Sequence, residues 1–475
     1  MKTIETTICG WSKSVCANSE VSFPESISDV CKVISKSKEN KKSIAIRGAG
    51  FSYGDNALNR GGTVLCTEKM NDIIHFDSNT GEIVVQSGVT IEDVYLFCIK
   101  HGWLLPVMPG TRYVTIGGAL GNNIHGKNCE QEGNIGEHVL SFKIVLSSEE
   151  VLECSREENS DIFYTAISGL GLIGVIVEIT LKMKKVPSNY IHGQSRRTKS
   201  IEHLIDLYED TISKSDYSIA TVDAISRGAS LGKGVLHFGS FIDNGDYSVK
   251  KHEINEKRVF HIIPRFLLIK FARTFIGSKS IEYFFRLHSA GYTNFFPNKR
   301  RVFSFSEYHF LMDGVVPDYN LFSKDGFYEY QALIPKDDAK EGLKRLIEIT
   351  HKYGFYSTMT SVKAYRKQNE SFVKSFQLDG YGITLDIKKV PKEVSRQRDM
   401  FIEMNDLVLS YKGKQHLAKT PIIVKEQFES MYPSYVKLKE CKLKYDKNNL
   451  FNNDMCRRIF KEDDYGHNDE LQLRF

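Results

Sequence analysis

The 475-residue chain has no stretch of eighteen uncharged apolar residues, which excludes a spanning helix on hydropathy grounds. Its first residues, MKTIETTICGWSKSV, lack the apolar core of a secretory signal, so none is expected. These two absences predict a soluble or peripheral protein. Cysteine is sparse. Nine residues (9, 16, 31, 66, 98, 129, 154, 441 and 456) are scattered, with no CxxC pair. The set has no zinc-site spacing, so no metal is expected, and it predicts reduced intracellular thiols rather than a disulfide framework. Neither sign of charge dominates: 64 Lys and Arg against 59 Asp and Glu leave +5, so no nucleic-acid partner is implied. Internal repeats and low-complexity tracts are also missing. The composition, 41% hydrophobic and 26% charged, is that of a globular protein. The length is too great for one small core and predicts two domains or three.

The most informative segment is IRGAGFSYGDN, Ile46 to Asn56. A short apolar run, Ile44 to Ile46, leads into Gly48, Gly50 and Gly54. Glycine permits positive φ and close approach of the backbone to a ligand, and successive amides in such a turn form a nest for phosphate. A second glycine-rich segment, PGTRYVTIGGALGNNIHGKN, runs from Pro109 to Asn128 and places His125 beside bare backbone. Two such loops predict a large phosphate-bearing cofactor held along its length.

The remaining pattern is mixed. SISDVCKVISKSK reads as a helix over 26–38 capped by Ser26 or Ser28. TIEDVYLFCIKHG reads as a helix ending at Gly102. SIAIRG, GTVLCTE, GEIVVQSG and LSFKIVLSSEEVLE read as strands, with a turn at 79–81. GLIGVIVEITLKMKKVP reads as a strand run that stops at Pro187. A polar, basic stretch, 188–200, marks a domain boundary. Beyond it, FYEYQALIP and YGITLDIKKVP read as strands and DAKEGLKRLIEITHKYG as a helix, which predicts an antiparallel sheet with helices on one face. The tail carries a helix around KEQFESMYPSYVKLKECKLKYD and ends in a loop, NNLFNNDMCRRIF.

Gly169, Gly171 and Gly174 fit GxGxxG, but a helix precedes them and a strand follows. That is the reverse of the dinucleotide fingerprint, so a Rossmann site is not expected. Residues 257–279, KRVFHIIPRFLLIKFARTFIGSK, carry six Lys or Arg and no acid among large apolar side chains. Two readings stand: an interfacial segment near a lipid-linked ligand, or a basic core helix interrupted at Pro264.

The motifs RGAGFSYGDNA, LPVMPGTRYVTIGGALGNNIHGKN, GNIGEHV, FYEYQALIP, HLAKT and NNDMCRRI carry a resemblance that runs collinearly from about residue 9 to 460. The chain resembles the vanillyl-alcohol-oxidase (PCMH-type) superfamily of FAD-binding oxidoreductases. Within it, the chain is most similar to the decaprenylphosphoryl-β-D-ribose 2-oxidase family. The resemblance implies an α+β fold: a two-subdomain PCMH-type FAD-binding domain plus a substrate domain with an antiparallel sheet and flanking helices. The implied boundaries are 1–188 for the FAD-binding domain, 189–412 for the substrate domain and 413–475 for a segment returning to the FAD domain.

By the same resemblance, the first loop, Arg47, Gly48, Ala49, Gly50, Phe51, Ser52 and Tyr53, would cradle the FAD pyrophosphate, with Tyr53 near the flavin and His125 in the substrate pocket. Gly110, Thr115, Ile116, Gly117, Gly118, Asn122, Ile124 and His125 would flank the isoalloxazine, with Val177 and His416 as further FAD contacts. Tyr53, His125, Gln331 and Lys419 are the implied catalytic set; Lys363, Thr384 and Lys419 would meet the substrate. A fixed cation such as Lys419 suits either the flavin or a substrate phosphate. Two departures matter. Phe51 stands where many sugar-lactone oxidases carry the histidine that bonds FAD covalently, so noncovalent FAD is expected. Thr384 stands where mycobacterial-type enzymes carry a cysteine open to covalent inhibitors.

The implied reaction is oxidation of the C2 hydroxyl of a polyprenyl-phosphoryl ribose, or a related lipid-linked pentose, to the 2-keto sugar. This would be the first half of an epimerisation supplying arabinose donors for cell-surface glycans. The implied partner is a short-chain-dehydrogenase-type reductase, and the implied place is the cytoplasm, with peripheral membrane contact through 257–279. His125 and Lys419 are candidates for activating the hydroxyl; the sequence does not assign the base. The alternatives are a soluble aldonolactone or alditol oxidase and a flavin-dead scaffold.

Overall fold

A computed structural model describes residues 2–249, 301–315, 320, 323–367, 372–373 and 375–460. Segment 257–279 lies outside the described residues. The fold is α+β, built from three larger sheets and flanking helices.

The first sheet contains β1 (Lys2–Cys9), β2 (Cys16–Phe23), β3 (Ile44–Arg47) and β4 (Thr63–Cys66) in the order β1-β2-β4-β3. Between β2 and β3 lies α1 (Ile27–Glu39), whose cap resolves to Ser26, accepting from the Asp29 amide at 3.2 Å. Val30, Val33 and Ile34 of α1 bury against Ile44 and Leu65.

The second sheet and a short pair use β5 (Ile73–Asp77), β6 (Glu82–Gln86), β7 (Trp103–Leu104), β8 (Val139–Val145), β9 (Val151–Ser155), β10 (Val175–Lys182) and β11 (Lys184–Lys185). The order is β5-β6-β10-β8-β9, with β7 and β11 paired apart. After β6 comes α2 (Ile91–Cys98), which Thr90 caps and whose following turn closes at Gly102 with φ 75°. The strand expected from Gly169 starts only at Val175, because 169–174 is a turn-rich passage between the helix Ser160–Ala166 and β10.

The third sheet has eight strands: β12 (Tyr190–Thr198), β13 (Tyr217–Val222), β14 (Gly234–Phe241), β15 (Arg301–Ser304), β16 (Phe327–Pro335), β17 (Ser357–Tyr365), β18 (Gly380–Lys388) and β19 (Lys414–Gln415). All its described pairs are antiparallel, in the order β15-β12-β14-β13-β17-β18-β16-β19. The polar stretch expected as a boundary is mostly β12, whose alternate residues Ile191, Gly193 and Ser195 are buried beneath an outward polar face.

Period-two alternation divides β16 into two faces. Tyr328 and Tyr330 pack on Phe401 of the helix Val394–Ser410, with ring centroids 5.4 and 5.6 Å apart. Glu329 and Gln331 point the other way, into the central cleft. β17 and β18 follow the same rule. Val362, Ile383 and Leu385 enter the hydrophobic core, while Ser361, Lys363 and Thr384 face the cleft.

The tail returns to the first sheet. The Ile44 amide donates to Leu450 O at 2.7 Å, the Asn452 amide to Ile44 O at 2.9 Å, and Arg458 holds Asp55 at 2.8 and 3.1 Å. Two expectations for this tail need correction. The single helix is two, Lys425–Met431 and Tyr435–Tyr445, because Pro433 cannot continue a helix. The closing loop contains a helix, Asp454–Ile459, because Asn453 caps it by accepting from the Cys456 amide at 2.8 Å.

The cysteine expectation also fails at one pair. Antiparallel pairing of β1 and β2 sets Cys9 directly opposite Cys16, and the two form a disulfide across the hairpin; the other seven thiols are free. Six intervening residues hid the pairing from a search for CxxC. Among the described residues no helix is long and apolar enough to cross a membrane.

Candidate active site

The cleft lies between the two glycine-rich loops on one side and β16–β18 on the other. The first loop leaves β3 at Arg47. A β-carbon built on Gly48 would fall 2.0 Å from Thr115 Oγ1, so only glycine lets the two loops touch. Gly50 has φ +77°, and a β-carbon there would strike the Arg47 guanidinium. Asn56 Nδ2 donates to Asn122 Oδ1 at 3.0 Å, and the Tyr53 backbone amide donates to Ala418 O at 3.0 Å. The second loop turns into α3 (Ile116–Gly121), where Thr115 Oγ1 accepts from the Gly118 amide at 3.3 Å. A β-carbon on Gly117 would fall 2.7 Å from the Ser87 β-carbon. The loops are thus a narrow backbone-walled cradle, closed at the back by the tail.

Of the residues expected from sequence, Gly48, Ala49, Gly50, Phe51, Ser52 and Tyr53 line the cleft from the first loop. Gly110, Thr115, Gly117, Gly118, Asn122, Ile124 and His125 line it from the second. Gln331, Lys363, Thr384, His416 and Lys419 line the opposite wall. Three do not line it. Ile116 and Val177 are fully buried in packing, and Arg47 turns its guanidinium to Cys9 O at 3.1 Å.

His125 sits at the centre. Gln331 Nε2 donates to His125 Nε2 at 3.0 Å and to Tyr365 Oη at 2.8 Å. His125 Nδ1 has no hydrogen-bond partner among the described residues. Burial, reinforced by the charges of Lys363 and the neighbouring His416, holds His125 well below the ordinary histidine range. His416, whose Nδ1 accepts from the Ala418 amide at 3.2 Å, is pushed down to about 3, chiefly by burial. Both rings are therefore neutral at pH 7.

The opposite wall is cationic. Lys419 Nζ lies 2.5 Å from Glu329 Oε1 and 4.1 Å from the centroid of the Tyr53 ring. Lys363 makes no ion pair among the described residues, and burial lowers its pKa. Away from the cleft lining, Lys127 of the IHGKN motif is half-buried and donates to His309 O at 2.6 Å. Desolvation, with the charge of Lys363 adding to it, pushes its pKa down to about 7.

Sequence reading missed several wall residues. Trp11, 6.2 Å from Phe51 and 5.1 Å from Tyr53 by ring centroids, comes from the hairpin loop. Gly171 and Gly174 line the cleft, so the GxGxxG set aside as a dinucleotide site still contributes backbone. Glu329 was visible within FYEYQALIP, and alternation with Gln331 was the available signal. Among the described residues no cluster of three or more His, Cys, Asp or Glu is placed to hold a metal.

This cradle fits FAD. The β-carbon clashes at Gly48 and Gly117 reserve bare backbone for a ligand, and the buried His125 Nδ1, without a hydrogen-bond partner among the described residues, suits a polar ligand group. Comparison with known proteins agrees: residues 19–155 match the FAD binding domain family. The chain is a FAD-dependent oxidoreductase. Residues 383–459 of the oxidoreductase match the D-arabinono-1,4-lactone oxidase family. It is similar to decaprenylphosphoryl-beta-D-ribose oxidase of Mycolicibacterium smegmatis, with 29% identity over 95% of this chain and 97% of the relative. Mouse L-gulonolactone oxidase is 23% identical over the same shares, 95% and 97%. The mitochondrial L-galactono-1,4-lactone dehydrogenase of Arabidopsis thaliana is 30% identical over 34% of this chain and 26% of its own.

Proposed function

We propose that the oxidoreductase oxidises the C2 hydroxyl of a polyprenyl-phosphoryl ribose, or a related lipid-linked pentose, to the 2-keto sugar. Lys363 carries this reading. A half-buried ammonium in a cavity wall, with no ion-pair partner among the described residues, is well placed to take an anion from a ligand. Glu329 does not supply that anion, because Lys419 holds its Oε1 at 2.5 Å. A sugar phosphate on Lys363 would set its ring over the glycine cradle, beside Gln331, Thr384 and His125. The chemistry FAD supplies when bound is hydride acceptance. The chain's own residues would hold the reacting carbon, exclude water and take the hydroxyl proton.

A short-chain-dehydrogenase-type reductase would return the ketone as its epimer, completing an arabinose donor. A lipid-tailed substrate would place the work at a membrane face, and the basic, apolar composition of 257–279 supports such docking. Charge reversal at Arg265 and Lys270 would then weaken vesicle binding.

A second reading has its own support. The lactone-oxidase match over 383–459 favours an aldonolactone or alditol substrate. Anaerobic mixing of the FAD-loaded protein with each candidate, followed by flavin absorbance, separates the readings. Bleaching by the lipid-linked sugar alone is expected. Bleaching by the lactone or polyol alone would replace this reading with the second.

A further inference from the structure

Alcohol oxidation releases a proton as well as a hydride, and the cleft offers few groups able to take it. His125 Nε2 already accepts from Gln331, and its surroundings disfavour the imidazolium. His416 spends Nδ1 on the Ala418 amide. Tyr365, buried against Cys129, is held well above the ordinary tyrosine range. Lys363 has no ion-paired acid behind it. Lys419 does.

Glu329 is 5% exposed, lines the cleft and meets Lys419 Nζ at 2.5 Å. It is also the cross-strand partner of Asp386, in the register that pairs Gln331 with Thr384. Residues opposite one another on a sheet face bring their side chains together, so the two carboxyl groups stand side by side beneath Lys419. Two neighbouring buried carboxyls cannot both ionise cheaply, so one proton is held between them. Asp386 does not line the cleft, and its buried Oδ1 has no hydrogen-bond partner among the described residues. Desolvation, then the Glu329 charge, hold Asp386 well above the ordinary carboxylate range, against the opposing pull of Lys419. The face of the Tyr53 ring fixes Lys419 from the first loop, and Lys363 on β17 is the remaining charged neighbour.

We propose that Glu329 is the proton acceptor of the oxidation, reached through Lys419, with Asp386 as the positioning acid that shares a proton with it from behind. The substrate O–H bond breaks and its proton passes to Lys419 Nζ as Lys419 gives one to Glu329. Lys419 ends as it began, and the carboxyl pair ends with two protons in place of one. The two electrons leave with the carbon-bound hydrogen as hydride, the chemistry FAD supplies. The cluster is neutral before the step, so burying it costs less than burying a lone carboxylate. This inference rests on the alcohol-oxidation reading above, whichever alcohol is used.

The test pairs infrared spectroscopy of the substrate-free protein with kinetics of E329Q and D386N. The wild type is expected to show a protonated-carboxyl C=O stretch at neutral pH, lost in D386N and shifted in E329Q. With FAD content unchanged, E329Q should lose about 10²–10⁴-fold in kcat, the range for general acid–base catalysis, together with the acidic limb of its pH profile. E329D should recover part of both. Kinetics would use whichever of the lipid-linked sugar, lactone or polyol bleaches the wild type. Failure of the lipid-linked sugar alone counts against the substrate reading, not this one. A wild type without the carboxyl band overturns the proposal, as does E329Q turning over within about tenfold of wild type.

Discussion

Replacing Gly48 by alanine tests the idea that the two loops are a cradle closed by contact. The added methyl would lie 2.0 Å from Thr115 Oγ1 and 3.2 Å from its Cβ, well inside van der Waals contact. Thr115 cannot simply rotate away, because its hydroxyl caps α3 through the Gly118 amide at 3.3 Å. Overpacking of this kind costs about 1–3 kcal/mol. T115A alone should cost about 1 kcal/mol, the value of a cap. In the double variant the clashing oxygen is gone, and only the more distant Cβ remains. G48A/T115A should therefore be more stable than the sum of the singles by about 1–2 kcal/mol. Urea denaturation of the four proteins, each titrated with FAD, measures both stability and cofactor retention. G48A should bind FAD most weakly of the four, and the double variant should regain part of the loss. Additivity within about 0.5 kcal/mol, with FAD affinity unchanged in G48A, would refute the contact and the cradle with it.

Lys442 is 2% exposed and donates to Asp446 at 2.7 Å, Phe451 O at 2.6 Å and Leu172 O at 3.1 Å, so it ties the tail to the cleft wall. K442M leaves a buried carboxylate without its cation and should cost about 3–5 kcal/mol in urea unfolding. Stability should also fall on acidification from about pH 6.5, because His125, His309 and His416 are neutral when folded and take up protons when unfolded. Their folded pKa values lie below the unfolded one, so the contribution is present above pH 6.5 and shrinks below it. Each adds about 1.4 kcal/mol per pH unit to the slope, and a flat urea midpoint between about pH 7 and pH 5 would contradict the neutral assignment. Asp386 runs the other way: its folded pKa is raised, so it costs stability as pH rises, and D386N should remove that cost in the same titration. Phe51 offers no nucleophile, so acid precipitation should release all the flavin; colour retained in the pellet would show a covalent bond. Thr384 should leave the protein without a stable adduct after exposure to thiol-directed nitroaromatics, as read by mass spectrometry.

Much of the fold was legible because its signals are local. The apolar stripe Val30, Val33, Ile34 repeats at helical spacing, and Ser26 stands where a cap belongs. The glycines at 48 and 117 announced close approach, and the structure shows what they approach: Thr115 and Ser87. Signals that depend on the partner strand were silent. Cys9 and Cys16 pair only because a hairpin folds between them. The tail's last helix needs the Asn453 cap, and a run of asparagines also reads as a loop.

The carboxyl pair behind Lys419 marks the limit most clearly. FYEYQALIP and YGITLDIKKVP each read as strands, and alternation alone puts Glu329 on the face of Gln331 and Asp386 on the face of Thr384. Which residue meets which depends on register, and a slip of one position would turn either acid into the aromatic core. The structure fixes Glu329 opposite Asp386, with Lys419 arriving from the HLAKT turn some ninety residues after Glu329 in the chain. A lone acid in a strand is usually a solvated edge residue. Two acids in register beneath a lysine are costly to bury unless they share a proton, and nothing in the packing of the hydrophobic core on the opposite face requires them. A conservative glutamine at 329 would satisfy Asp386 and still face the cleft. The carboxyl at this position is therefore best explained by the chemistry in front of it rather than by the fold behind it.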